Sequence, residues 1–221
     1  MVNDQHGIVS MNKPNPLKNS DGSCHYSIAN TEVLCSVNGP VEARARDEQP
    51  TEATIEVVVR PNTGLGTTRE TFMQDQLHTS LQSVVIRHLI PRSLVQVVVQ
   101  VLSGKNEINE LAAATNSASI ALANAGVPLS GLCVAVSSAY VDGELQMSPA
   151  QIEKSTSRHV LAFKYSNFDE ARMVMASCTG NFSKDQFKEV LSASQDFAQT
   201  VYMEMREKVS DAYRQSTLWS I

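Results

Sequence analysis

The chain has 221 residues, is 42% hydrophobic and 19% charged, and contains only 8 Pro and 10 Gly, which excludes collagen, coiled coil and disorder as descriptions of the whole. A net charge of -5 and a pI near 5.5 exclude a protein that grips nucleic acid through a global positive field, so any polyanion contact has to be a local patch. The best apolar run, Ser93 to Leu102, is broken by Gln96 and Gln100 and falls short of the roughly 18 residues of a membrane span, so a soluble chain is expected.

Taken in chain order, Met1 to Gly22 is polar, carries Pro14 and Pro16, lacks the pattern of a signal peptide and reads as a loose arm. Thr31 to Val37 and Thr54 to Arg60 alternate apolar and polar residues and should be strands. Between them, Asn38-Gly39-Pro40 and a charged stretch ending at Pro50 read as a turn and an exposed connection. Thr67 with Glu70 three residues on is a capping-box pattern, so a helix starts there. Its stripe of Leu77, Leu81, Val84, Val85, His88 and Leu89 should run until Pro91 stops it.

Leu94 to Leu102 is a half-buried strand by the same alternation. A helix from about Asn106 to Ala125 follows, so rich in Ala and Ser that another backbone should pass close by. Gly131 to Tyr140 and Glu144 to Met147 should pair through an Asp142-Gly143 hairpin. Ser148-Pro149 suggests a short helix to about Thr156. Val160 to Tyr165 and Arg172 to Cys178 are strands separated by Asn167-Phe168-Asp169, and a long amphipathic helix runs from Ser183 to about Asp211. Paired strands interleaved with one-sided helices imply an α/β or α+β domain in two layers, a sheet with helices stacked on one face. An arm over 1–20, a domain over 21–212 and a tail over 213–221 follow as expected boundaries.

The chemistry-bearing residues are sparse. Cys24, Cys35, Cys133 and Cys178 lack C-x-x-C spacing and read as reduced, intracellular thiols, with Cys35 and Cys133 filling the core. His6, His25, His78, His88 and His159 show no metal-ligand spacing. Gly64-x-Gly66 before a helix lacks the third Gly and the Lys of a phosphate loop and reads as a flexible loop. No G-x-S-x-G elbow supports a hydrolase. Arg44 and Arg46 lie two apart in an extended connection, where both guanidinium groups can face neighbouring phosphates; Glu42, Asp47 and Glu48 beside them make a solvated, internally paired loop the competing reading.

Several stretches together resemble the RNase PH family over about residues 20 to 210. They are Asp21-Gly22-Ser23, Asn30-Thr31-x-Val33-Leu34, Val37-x-Gly39-Pro40-x-Glu42 and Leu89-Ile90-Pro91-Arg92-Ser93-Leu94. The run from Gly39 to Thr51 followed by Glu56 to Pro61 is most similar to the small RNase PH-like subunits of the eukaryotic RNA exosome. The resemblance implies two β-α modules with a mixed sheet and helices packed on one face. It implies heterodimers with other RNase PH-like exosome subunits in a six-membered ring around RNA, with RNA-binding cap subunits and associated hydrolytic nucleases as partners. It also implies the nucleus, nucleolus and cytoplasm as locations, and neither a membrane nor a cofactor or metal.

Active members of that family hold phosphate with a Thr-Arg-Thr/Ser-Ala type motif at the second long helix, and the resemblance carries it onto Thr115, Asn116, Ser117 and Ala118, with Asn116 in place of the arginine. Two aspartates after the later hairpin fall on Met147 or Ser148 and on Glu153. A lost charge-assisted hydrogen bond is worth roughly 1.5–3 kcal/mol, so the expectation is a non-catalytic ring subunit. Its RNA-facing residues would be Arg44 and Arg46, then Arg87 and Arg92. An altered but active phosphorolytic exoribonuclease using Glu153 and Ser117 is the rival.

Overall fold

The computed structural model describes residues 9–104, 106–166 and 170–218. The first module comprises β1 (Val9–Pro14), β2 (Gly22–Ile28), β3 (Thr31–Glu42), β4 (Thr54–Arg60), α1 (Thr68–Val84) and β5 (Ser93–Ser103). The second comprises α2 (Glu107–Asn124), β6 (Leu132–Val141), β7 (Glu144–Met147), β8 (Ser155–Ser166), β9 (Glu170–Gly180) and α3 (Lys184–Leu218). Strand order is β1-β2-β3-β5-β4 in the first sheet and β7-β6-β8-β9 in the second. The first sheet is mixed, because β4 joins β5 in parallel through α1 while the other pairings are antiparallel.

Alternation along β3 and β5 puts Val33, Cys35, Val37, Val95, Val97 and Val99 on one buried face, against α1 and α2. The second sheet behaves differently. In β6 every residue from Cys133 to Tyr140 is buried, whichever way it points, because α2 covers one face and α3 the other. The α+β class and the two modules stand, and the layering goes beyond two: sheet, helices, sheet, helix. On α3 the stripe Val190, Ser194, Ala198, Val201 and Met205 is buried at spacings of three and four.

The close backbone expected beside the Ala-rich helix is β2. Glycine at position 22 is required there, since a Cβ would fall on the carbonyl oxygen of Ala121 and the amide nitrogen of Ala125. Asp142 and Gly143 both take positive φ, 52° and 87°, as a two-residue hairpin turn demands. The capping box forms as read, with Thr67 N donating to Glu70 Oε2 at 2.7 Å.

Four local readings need correction. Val9–Pro14, taken as part of a loose arm, is an edge strand paired with β2, where backbone hydrogen bonds replace the apolar pattern it lacks. The first helix ends at Val84: Val85 bridges Leu129, Arg87–Leu89 is a 3-10 turn, and His88 and Leu89 are exposed rather than packed. Residues 148–154 form no helix; Ser148 takes a φ of 50° and the chain re-enters a strand at Ser155. The last helix continues to Leu218, past the expected boundary at 212. The connection Asn167-Phe168-Asp169 lies outside the described residues.

Candidate functional site

The N-terminus of α2 is held by two asparagines. Asn106 is its N-cap, accepting from Ile108 N at 3.3 Å, and donates to Pro149 O at 2.7 Å. Asn109 donates to the same carbonyl at 2.8 Å and accepts from Ser137 Oγ at 2.7 Å. Ser148 N donates to Ser137 O at 2.8 Å. These bonds tie the stretch after β7 to the first turn of α2, and beside the joint lies a cleft of about 530 Å³. Asn30, Asn62, Asn106, Asn109 and Gln151 supply amides to its lining, and Glu153 is the only ionisable group among its described lining residues.

A helix N-terminus attracts anions through its unpaired N–H groups and its dipole. Here the first turn already carries Glu107 and Glu110. Glu110 is buried behind Gly104, pairs with the Arg69 guanidinium, and has its carboxyl raised above the usual range by burial, which Arg69 partly offsets. Arg69 also lies 3.8 Å from Glu107 and 3.9 Å from Glu70. The nearest described guanidinium beside this turn is thus committed to carboxylates.

The triplet expected to stand at a phosphate site is elsewhere. Thr115, Asn116 and Ser117 are wholly buried in the middle of α2. Asn116 accepts from Ala135 N at 2.6 Å and donates to Ala135 O at 3.0 Å and to the Tyr26 hydroxyl at 3.2 Å. Its amide acts as a substitute peptide on the edge of β6 that β7 leaves open, since β7 pairs only with Ser138 to Val141. Two residues away, Ser119 Oγ accepts from Cys133 N at 2.9 Å on the same strand. Thr115 and Ser117 return their hydroxyls to Leu111 O and Ala114 O. No face of this triplet is open to a ligand.

Of the expected acid positions, Met147 and Ser148 are buried, and Glu153 is exposed at the cleft. The structure therefore brings Glu153 to Asn106 and Asn109, not to Asn116. Both asparagines went unread as site residues. The available signal was the helix start itself, Asn106-Glu107-x-x-Glu110, the one part of α2 whose backbone donors are free to face a ligand.

The four arginines converge at the opposite end of the first sheet. Ala53 N bonds Arg87 O, Arg92 N bonds Gln49 O and Ala43 N bonds Arg92 O, joining the two segments that carry them. Arg46 pairs with Asp47 at 3.3 Å, Arg87 with Glu52 at 2.8 Å and Arg92 with Glu48 at 3.4 Å. Arg44 has no carboxylate partner among the described residues and borders, with Arg46, a groove of about 490 Å³. The exposed pairs of Arg46 and Arg92 are worth about 0–1 kcal/mol each, so a phosphate can displace their carboxylates at little cost, while Arg87 is half-buried. β5 runs from beside Arg92 to the cleft, and eleven residues at about 3.3 Å each set the two places roughly 35 Å apart.

Among the described residues no group of three His, Cys, Asp or Glu could hold a metal ion. Cys24, Cys35 and Cys133 are free and buried; burial pushes the thiols of Cys24 and Cys133 up to about 12, leaving them inert.

This arrangement of two sheets around α2 is shared with the crystal structure of rice (Oryza sativa) Rrp46, which is similar at a TM-score of 0.85 and 26% identity over 93% of this chain and 96% of that one. A family model described as 3′ exoribonuclease family, domain 1 matches residues 12–128, more than half the chain. The exosome complex component RRP46 of Saccharomyces cerevisiae is 32% identical over 88% of this chain and 92% of its own length. A rice relative called exosome complex exonuclease RRP46 homolog is 30% identical over 81% of this chain and 74% of its own. The chain belongs to the RNase PH family.

Proposed function

We propose that the chain is a non-catalytic ring subunit of an RNA exosome core. In this reading it pairs with other RNase PH-like subunits in a six-membered ring. It lines the RNA path with Arg44 and Arg46, supported by Arg87 and Arg92, and offers surface to RNA-binding cap subunits and separate hydrolytic nucleases in nucleus, nucleolus and cytoplasm. The similarity to RRP46 exosome components over nearly the whole chain supports membership of the ring.

The observation that carries the absence of catalysis is the chemistry of the cleft. Phosphorolysis needs a cationic grip on the phosphate nucleophile and an acid for the departing 3′ oxygen. The described lining, which does not include Lys105, offers amides, hydroxyls and one carboxylate, and Glu107 and Glu110 offset the positive end of the α2 dipole that would attract an anion. Missing clamps and acids each cost on the order of 10²–10³-fold and 10²–10⁴-fold in rate.

The alternative, an active phosphorolytic 3′–5′ exoribonuclease with Glu153 as its acid, has the rice relative's name in its favour and that lining against it. Incubating the purified chain with a short 3′-hydroxyl RNA and inorganic phosphate decides between them. No nucleoside diphosphate above background is expected. Phosphate-dependent release that disappears in Glu153→Gln would establish the enzyme.

A further inference from the structure

We propose that the groove between α1 and the outer edge of β9 docks an extended peptide segment of a partner protein. The segment adds a strand to β9, seats one large apolar side chain in a hollow beside it, and turns an acidic side chain toward Arg158.

Three observations converge on this place. The first is the edge itself. Among the described residues β9 is the outermost strand of its sheet and pairs only with β8. A bulge interrupts its pairing between Met173 and Met175; beyond it, from Met175 to Gly180, the pairing is regular and the strand carries neither charge nor proline, two of the means that blunt an edge against a further strand.

The second is the hollow, about 100 Å³, between that edge and the helices. Ile108 and Leu111 of α2 and Val160 of β8 supply apolar lining, and Phe72 and Met73 of α1 add to it. Phe72 is 56% exposed, a large aromatic on α1 without cover. The volume is somewhat below the roughly 150 Å³ of an apolar cavity that takes benzene, which suits one aliphatic side chain. Ser177 and Thr179 of β9 line it too, so an added strand would project alternate side chains onto the same side.

The third is charge. Arg158 lies directly across from Thr179. It donates to Ser155 Oγ at 2.9 Å and Ile152 O at 3.4 Å and pairs with no carboxylate among the described residues. Arg69, also on this lining, is already held by Glu110 and Glu107. A residue placed opposite Ser177 therefore meets the hollow, and the next residue on that face, two positions along, meets an uncompensated cation. The occupant is an extended segment with an apolar residue and an Asp or Glu two positions from it.

The test selects binders to the full chain from a displayed random nine-residue peptide library and measures the enriched peptides against variants. Phe72 is exposed enough for Phe72→Ala to leave the fold intact, which thermal melting checks. Expected are peptides pairing a large apolar residue with an acidic one two positions away, at least tenfold weaker binding to Phe72→Ala, loss of the acidic preference in Arg158→Gln, and slowed amide exchange along 173–180 on binding. Failure to enrich any peptide, or peptides that bind both variants undiminished, overturns the proposal. Peptides that bind the free chain but not the assembly recovered from cells also overturn it, since the groove would then lie within a subunit contact. That outcome leaves the ring reading in place.

Discussion

Asn116 spends its whole amide on the open edge of β6 and on Tyr26. Asn116→Ala leaves both backbone groups of Ala135 without their partner in a dry site, at about 1–3 kcal/mol for each unsatisfied group. Denaturant unfolding should show a loss of roughly 2–4 kcal/mol. Asn116→Arg is more telling. If this position were a phosphate site lacking only its cation, the change would create phosphate affinity; buried against β6 it should instead prevent folding, read as loss of soluble chain.

His159 is buried under α3, its Nδ1 without a partner among the described residues and its Nε2 3.0 Å from Ser157 Oγ. Burial lowers its pKa below the ordinary 6.5. Below pH 6.5 the unfolded chain therefore takes a proton that the folded chain refuses, and stability is full above that pH and falls beneath it. Glu110 acts in the opposite sense, because its raised carboxyl takes up a proton first in the folded chain. Stability measured between pH 7.5 and 5.5 should decline more steeply in the parent chain than in His159→Phe; equal slopes would remove His159 as the cause.

Among the elements, α2 was legible as a helix but not as to what each of its residues does. Ala and Ser fill it so evenly that no apolar stripe fixes a face, and it is buried all round from Ile108 to Leu122. A motif laid along such a helix has nothing to fix its register, so the resemblance carries the degenerate phosphate position onto Asn116, whose partner in the structure is the edge of β6. The strands of strong alternation, β3, β4 and β5, were readable because one face of each is apolar. β1 was not, since an edge strand is held by its neighbour's backbone. The tight seam of β2 on α2 gives a sharp expectation: Gly22→Ala must push the two backbones apart, and thermal unfolding should drop by several degrees even though only one methyl is added.

At the scale of the molecule, the charge of -5 already required any RNA contact to be local. Arg44 and Arg46 could be singled out from their spacing, but that Arg87 and Arg92 join them depends on backbone bonds across some forty residues. In the proposed reading, the roughly 35 Å between these arginines and the cleft puts them on the RNA path and away from any place of cutting. Arg44→Glu with Arg46→Glu should weaken RNA binding by the assembled core and lower its salt dependence, while the melting of the isolated chain stays within about 0.5 kcal/mol of the parent. Unchanged RNA affinity across a salt series would move the RNA path away from this end.

Ring membership is tested most directly by native mass measurement of the complex recovered from cells on this chain. The expected mass is that of a hetero-oligomeric core holding the chain once among six RNase PH-like subunits. A homodimer of this chain alone would contradict it.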